Sequence, residues 1–154
     1  MFDSSPEMPS ASAFVQQRSK IKPDAFKTIF ESFTSKITTK KSDMLRILAV
    51  DGSDVQIATN PGDSTSYHSG SNGQKPYNLL HLNALYDLEH HIYTDAVIQG
   101  RLNWNEHSAL QEMVDKSDIS KALVVADRGY ESYNNMAHIQ EKGWYFLIRI
   151  KDGK

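Results

Sequence analysis

The chain has 154 residues, 39% of them hydrophobic and 23% charged, with a formal net charge of −2 and no cysteine. This is enough for one compact domain with a real core, and it excludes a disulfide framework or a zinc site built on thiolates. No run of about 18 apolar residues occurs, and the opening MFDSSPEMPSASAF has neither the basic nor the apolar region of a signal peptide, so a cytoplasmic chain is expected.

Residues 1–44 read as a Ser-rich leader followed by a basic helical segment. Asp24, after Pro23, is placed to cap a helix whose apolar residues Phe26, Ile29, Phe30, Phe33 and Ile37 recur at helical spacing, a stripe that needs a partner. From Arg18 to Lys41 there are seven basic residues against two acidic ones. Such a stretch suits phosphate contacts, and equally a solvated helix face.

Residues 45–154 change character. Leu45–Val50 (LRILAV) is a short buried strand ending at Asp51-Gly52-Ser53, and Val55–Ala58 a second short strand. Residues 60–76, rich in Gly, Ser, Asn and Pro, form a loop. Leu79–Leu88 predicts a strand with Leu80, Leu82, Ala84, Tyr86 and Leu88 on one face. It turns at Glu89-His90-His91 and returns as Ile92–Gln99. A helix follows over Glu106–Lys116, with Ala109, Leu110, Met113 and Val114 inward. Ala122–Ala126 (ALVVA) is a strand covered on both faces, stopping at Asp127-Arg128-Gly129. Ser132 caps a helix to Lys142 with Gly143 behind it, and Trp144–Ile150 is the last strand. The order β-ββ-α-β-α-β is that of a ribonuclease H-like mixed α/β sheet.

Asp51 and Asp127, 76 positions apart, each follow an apolar strand. If those strands are neighbours, two carboxylates meet at a sheet edge, where ligand sites of open α/β sheets lie. Close carboxylates repel unless a proton or a cation intervenes, and a hard divalent ion with oxygen ligands resolves the conflict. The alternative, that each Asp only caps a turn, stays open at this point.

The segment AVDGSD (Ala49–Asp54) resembles the first-aspartate motif of DDE transposases of the insertion-sequence-four group, and VVADRGYES (Val124–Ser132) resembles their second. Ala13–Phe26 and the strand His81–Leu88 are also similar to the group, so the resemblance runs from about residue 13 to the end. It implies Asp51 and Asp127 as catalytic metal ligands for Mg²⁺ or Mn²⁺, with Asp54 competing for the first position. It implies DNA as partner, a homodimer in the full-length protein, and a prokaryotic, nucleoid-associated setting. The family's third carboxylate belongs to a downstream motif, Tyr-x2-Arg-x3-Glu-x6-Lys, which these 154 residues lack. Glu131 does not fit that pattern. The expectation is therefore a fragment without the C-terminal part of the fold, weak in metal binding and inactive alone. The alternatives are a catalytically dead DNA-binding remnant and an unrelated metal-dependent nuclease or phosphatase.

Arg18, Lys20, Lys22, Lys75 and Arg128 are the expected DNA contacts, with an ion pair as the competing role for Arg128. His90 and His91, adjacent on a strand or turn, point apart and do not share an ion. The glycine-rich segments lack the Gly-Lys-Ser/Thr of a phosphate-binding loop. Trp104 and Trp144 read as packing residues.

Overall fold

The computed structural model describes residues 9–22, 24–38 and 44–150. These fall into two compact units that divide between Phe33 and Thr34. In the first, Ser10 caps helix α1 (Ala11–Gln17) by accepting from the Ala13 amide at 3.2 Å, and a 3-10 turn, Arg18–Lys20, follows. Arg18, Lys20 and Lys22 are exposed. Helix α2 (Ala25–Thr38) starts with the Thr28 amide and hydroxyl both donating to the Asp24 carbonyl. Its apolar stripe is not covered as its spacing suggested: Phe26 is 71% exposed, Ile29 65% and Phe33 58%. Periodicity specifies a helix without specifying what lies on it. Pro23, Lys40, Lys41 and the side chain of Ile37 lie outside the described residues.

The second unit is a six-stranded mixed sheet. Strand β1 (Arg46–Ile57) is central, β2 (Tyr67–His68) is short, and β3 (Tyr77–Asp87) and β4 (Ile92–Gly100) form a hairpin. Helix α3 (Glu106–Lys116), strand β5 (Ala122–Ala126), helix α4 (Tyr133–Glu141) and strand β6 (Tyr145–Ile148) complete it. The order across the sheet is β2-β3-β1-β5-β6, with β4 also on β3. β1 is antiparallel to β3 and parallel to β5, and β5 is parallel to β6. With its alternation of helix and strand after the hairpin, this is the ribonuclease H-like arrangement.

One strand face and two helices make the core. Leu48 and Val50 of β1, Leu85 of β3 and Ala122, Val124 and Ala126 of β5 are buried. They pack in one cluster with Ala109, Leu110, Met113 and Val114 of α3 and Ile139 of α4, and Trp144 closes it. α3 and α4 run over their expected spans. Gly143 takes φ +77° behind α4, a conformation glycine adopts without penalty.

Three expectations change. The run Leu45–Val50 does not end at Asp51, and Val55–Ala58 is no separate strand: β1 continues to Ile57 because β3 pairs with it from Leu48 to Ile57. A Gly-Ser pair that reads as a turn is held extended by its neighbour. On β3 the covered face is the other one. His81, Asn83, Leu85 and Asp87 are buried, whereas Leu80, Leu82, Ala84 and Tyr86 are only half-buried. β5 is covered on one face alone, since Leu123 and Val125 are half-buried and both helices contribute to the core on the opposite side.

Candidate metal-binding active site

β1 and β5 are paired from Arg46↔Ala122 to Ala49↔Val125. Two residues further along each chain stand Asp51 and Asp127. Carrying the register forward puts them side by side, on strands about 4.8 Å apart. Val50 and Ala126, the residue before each, are buried, whereas both aspartates are exposed. There β5 stops, because the chain enters a 3-10 turn at Arg128–Tyr130, while β1 runs on with only β3 beside it. The result is a notch in the sheet with two exposed carboxylates at its base.

Each aspartate uses one oxygen locally. Oδ1 of Asp51 accepts from the Gly52 amide at 2.9 Å, and Oδ1 of Asp127 accepts from the Gly129 amide at 2.8 Å. Asp127 thus does cap a turn. Among the described residues the second oxygen of each has no hydrogen-bond donor from the protein.

Asp54 is differently employed. Its Oδ1 lies 2.7 Å from His81 Nδ1, and its Oδ2 accepts from Arg101 Nε at 2.8 Å. The His81 hydrogen bond, aided by Arg101 and opposed by burial, holds the Asp54 carboxyl below its ordinary value. On the far side of the imidazole, His81 Nε2 lies 3.2 Å from Glu106 Oε1. Both ring nitrogens therefore face carboxylate oxygens, which can only accept. Trp104 packs against His81 and Arg101. It is 37% exposed, its ring 4.6 Å from that of His81, with the Arg101 guanidinium 4.4 Å from its centre.

Two glycines make room for this network. A Cβ on Gly52 would stand 2.7 Å from His81 Nε2, 2.8 Å from Glu106 Oε1 and 3.2 Å from Asn83 Oδ1. One on Gly129 would stand 2.9 Å from Asp127 Oδ1 and 3.4 Å from Glu106 Oε2. Beneath lies Tyr130, 1% exposed, whose hydroxyl donates to Asn83 Oδ1 at 3.1 Å. Burial raises the Tyr130 phenol well above its usual value, and the negative charges of Glu106, Asp51 and Asp127 raise it further. All three carboxylates act on this one hydroxyl. The donor set is entirely oxygen and anionic, and Asn83 keeps a buried Nδ2 with no partner. Such a set fits a hard divalent cation with its water.

One trio of described residues, Asp87, Glu89 and His90, brings its ligand atoms within 4.8 Å of one another. The notch does not close to that spacing. The trio sits at the other end of β1, where two guanidinium nitrogens of Arg46 already occupy Asp87 Oδ2, one at 2.6 Å. A resident cation there would face that guanidinium. His90 turns its Nδ1 toward Asp87, 3.1 Å from Oδ2.

Lys75 is exposed in the loop after β2, and Arg18, Lys20 and Lys22 belong to the other unit. Arg128 follows Asp127 directly, is exposed, and makes no ion pair among the described residues. Sequence reasoning overlooked Glu106, His81 and Asn83 as site residues. The signals were a strand alternating polar residues on one face and an Asn-Glu pair opening the helix after the hairpin.

A ribonuclease H-like sheet with acidic residues at the end of its parallel central pair defines a class of phosphoryl-transfer domains. Residues 43–154 match the family described as transposase DDE domain, and the chain belongs to that family. Among solved structures it is similar to the piggyBac transposase in a synaptic complex with hairpin DNA. The TM-score is 0.53 at 13% identity, over 96% of this chain and 31% of that one. Mos1 transposase in a paired-end complex with the left transposon end also matches, with TM-score 0.39 at 13% identity over 96% of this chain and 45% of that one. The chain thus spans under half the length of either. No curated protein sequence matches it.

Proposed function

We propose that this chain carries the catalytic core of a DNA transposase of the insertion-sequence-four group, with Asp51 and Asp127 as its metal ligands and Mg²⁺ or Mn²⁺ as the ion. The observation that supports the reading is the β1–β5 register, which, carried two residues past Ala49↔Val125, aligns Asp51 with Asp127 in a member of the transposase DDE family. Asp51 is preferred over Asp54 because Arg101 and His81 occupy both oxygens of Asp54.

The bound ions would supply the positive charge that activates an attacking oxygen and stabilises the leaving one in phosphodiester cleavage and joining. The residues themselves have simpler tasks. Asp51 and Asp127 present oxygens on a rigid strand pair. Tyr130 keeps its proton and donates to Asn83. Arg128 and Lys75 face solvent and offer positive charge to DNA phosphates, as do Arg18, Lys20 and Lys22 in the first unit. Element ends and target DNA are the partners, in a homodimer of the whole transposase, inside a prokaryotic cell. No helix of the described residues is long and apolar enough to cross a membrane.

The test is Asp51→Asn and Asp127→Asn, each placed in a transposase containing this domain. Each should abolish Mn²⁺-dependent cleavage and strand transfer while leaving retention of end DNA in a gel-shift assay unchanged. Residual transfer above a hundredth of the parent rate in either variant refutes the assignment.

A further inference from the structure

We infer that Glu106 is a third metal-ligating carboxylate of this site, contributed from within the domain, and that His81, held by Asp54 and Trp104, is the residue that positions it. This rests on the reading of Asp51 and Asp127 given above.

Glu106 has a ready structural explanation, since an acid in the first turn of a helix is favoured by the helix dipole. Its geometry goes beyond that. Asn105 already caps α3, accepting from the Ser108 amide at 3.1 Å, so the helix start does not need Glu106. The carboxylate is instead turned toward the sheet, its side chain only 22% exposed. Oε1 faces His81 and the methyl-sized gap at Gly52, and Oε2 faces the gap at Gly129 beside Asp127. A half-buried carboxylate aimed at a second carboxylate is unfavourable unless positive charge joins them. His81 meets one oxygen of Glu106 only, on the side away from Asp127.

Asn83 supplies a second, independent observation. It is fully buried, stands opposite Gly52 in the β1–β3 register, and presents Oδ1 to the same gap that Glu106 Oε1 fills. Its Nδ2 has no hydrogen-bond partner. Buried amide donors are nearly always satisfied, so a free one at this spot points to an oxygen the protein does not itself provide, such as a water held by an ion. His81 then acts as the outer residues of metal sites do, fixing the orientation of a ligand through a hydrogen bond. Its own ring is fixed in turn, by Asp54 on one nitrogen and Trp104 on one face.

The experiment titrates the intact chain with Mn²⁺ alone, following free Mn²⁺ by electron paramagnetic resonance and the Mn²⁺-induced rise in melting temperature. The melting shift measures binding whatever the metal-free stability of a variant. Glu106→Gln should weaken Mn²⁺ about 10- to 100-fold, and His81→Gln about tenfold with an altered spectrum of the bound ion. Glu106→Asp, which keeps the charge on a shorter arm, should fall between Gln and the parent, and it serves if the Gln variant does not fold. Glu112→Gln, further along α3, should bind as the parent does. If Asp51→Asn and Asp127→Asn bind as the parent does, the underlying reading fails. If those two lose Mn²⁺ while Glu106→Gln keeps the parent affinity, this inference alone fails. A parent chain that binds no Mn²⁺ at millimolar concentration overturns both.

Discussion

Arg46 enters β1 buried and Asp87 leaves β3 fully buried, and each is tolerable only because of the other. Burial pushes the Asp87 carboxyl up. Hydrogen bonds from the His90 amide and ring and the Glu89 amide, with the charge of Arg46, outweigh it and bring the carboxyl below its ordinary value of 3.8. A depressed folded-state value means stability that is fully present above the unfolded value and lost as pH falls through the folded one. Urea unfolding midpoints should therefore hold from neutral pH down to about pH 5 and then decline steadily in acid. Asp87→Asn, which strands a buried guanidinium, should cost about 3–5 kcal/mol at pH 7 and flatten that acid limb. A variant within about 1 kcal/mol of the parent would show that the pair is structurally idle. Gly52 invites the opposite kind of test. The atoms a methyl would meet are the tips of His81 and Glu106, which can swing aside. Gly52→Ala should thus cost no more than about 1–3 kcal/mol in the urea assay. Its larger effect should be on Mn²⁺ affinity. Loss of the fold with this one methyl would mean the gap is closed by something stiffer.

Elements were legible wherever local signals agreed with their surroundings. The span of α3 could be read because Asn105, Glu106 and the spacing of Ala109, Leu110, Met113 and Val114 all say helix, and those four are indeed buried. Asn105→Ala should cost about 1 kcal/mol in thermal unfolding, a capping loss, and Leu110→Ala about 2–5 kcal/mol, a cavity loss. If the two cost the same, α3 is not anchored through its buried face. β5 and α4 were readable for like reasons. β1 was not, because Gly52 and Ser53 carry turn signals that only a long antiparallel partner overrides, and that partner lies about 30 residues away. The facing of β3 was misjudged because its apolar letters lie on the half-covered side. The polar letters of the covered face are buried by the job they do: Asp87 pairs with Arg46, while His81 and Asn83 serve the notch. Asp51 and Asp127 could be found from strand ends alone. Glu106 could not, since nothing local distinguishes it from any acid at a helix start.

At the scale of the whole molecule the charge is divided by place. A net −2 hides a basic stretch beginning at Arg18 and an acidic notch in the sheet unit. If the first unit holds DNA, replacing Arg18, Lys20 and Lys22 together should lower the salt slope of DNA binding by about one unit per lost phosphate contact, without changing sequence preference. An unchanged slope in a filter-binding titration would assign the basic stretch to solvent. The sheet also shows a second, poorly covered face. Leu147 is 62% exposed on β6, Tyr145 55%, and Leu123 and Val125 beside them are half-buried. Exposed apolar area of this kind should bind a hydrophobic dye in the folded state.

The unequal neighbours of β1 have a consequence in time as well as in space. At Leu48 and Ala49 the strand is flanked by both β3 and β5, and from Asp51 onward by β3 alone. In deuterium exchange its first half should be protected throughout, whereas in its second half every other amide, pointing where β5 has ended, should exchange early. The Gly52 amide is the exception, sheltered by the carboxylate of the residue before it. Whatever draws Asp51 Oδ1 away should speed exchange at that single amide, leaving a clock at the base of the notch.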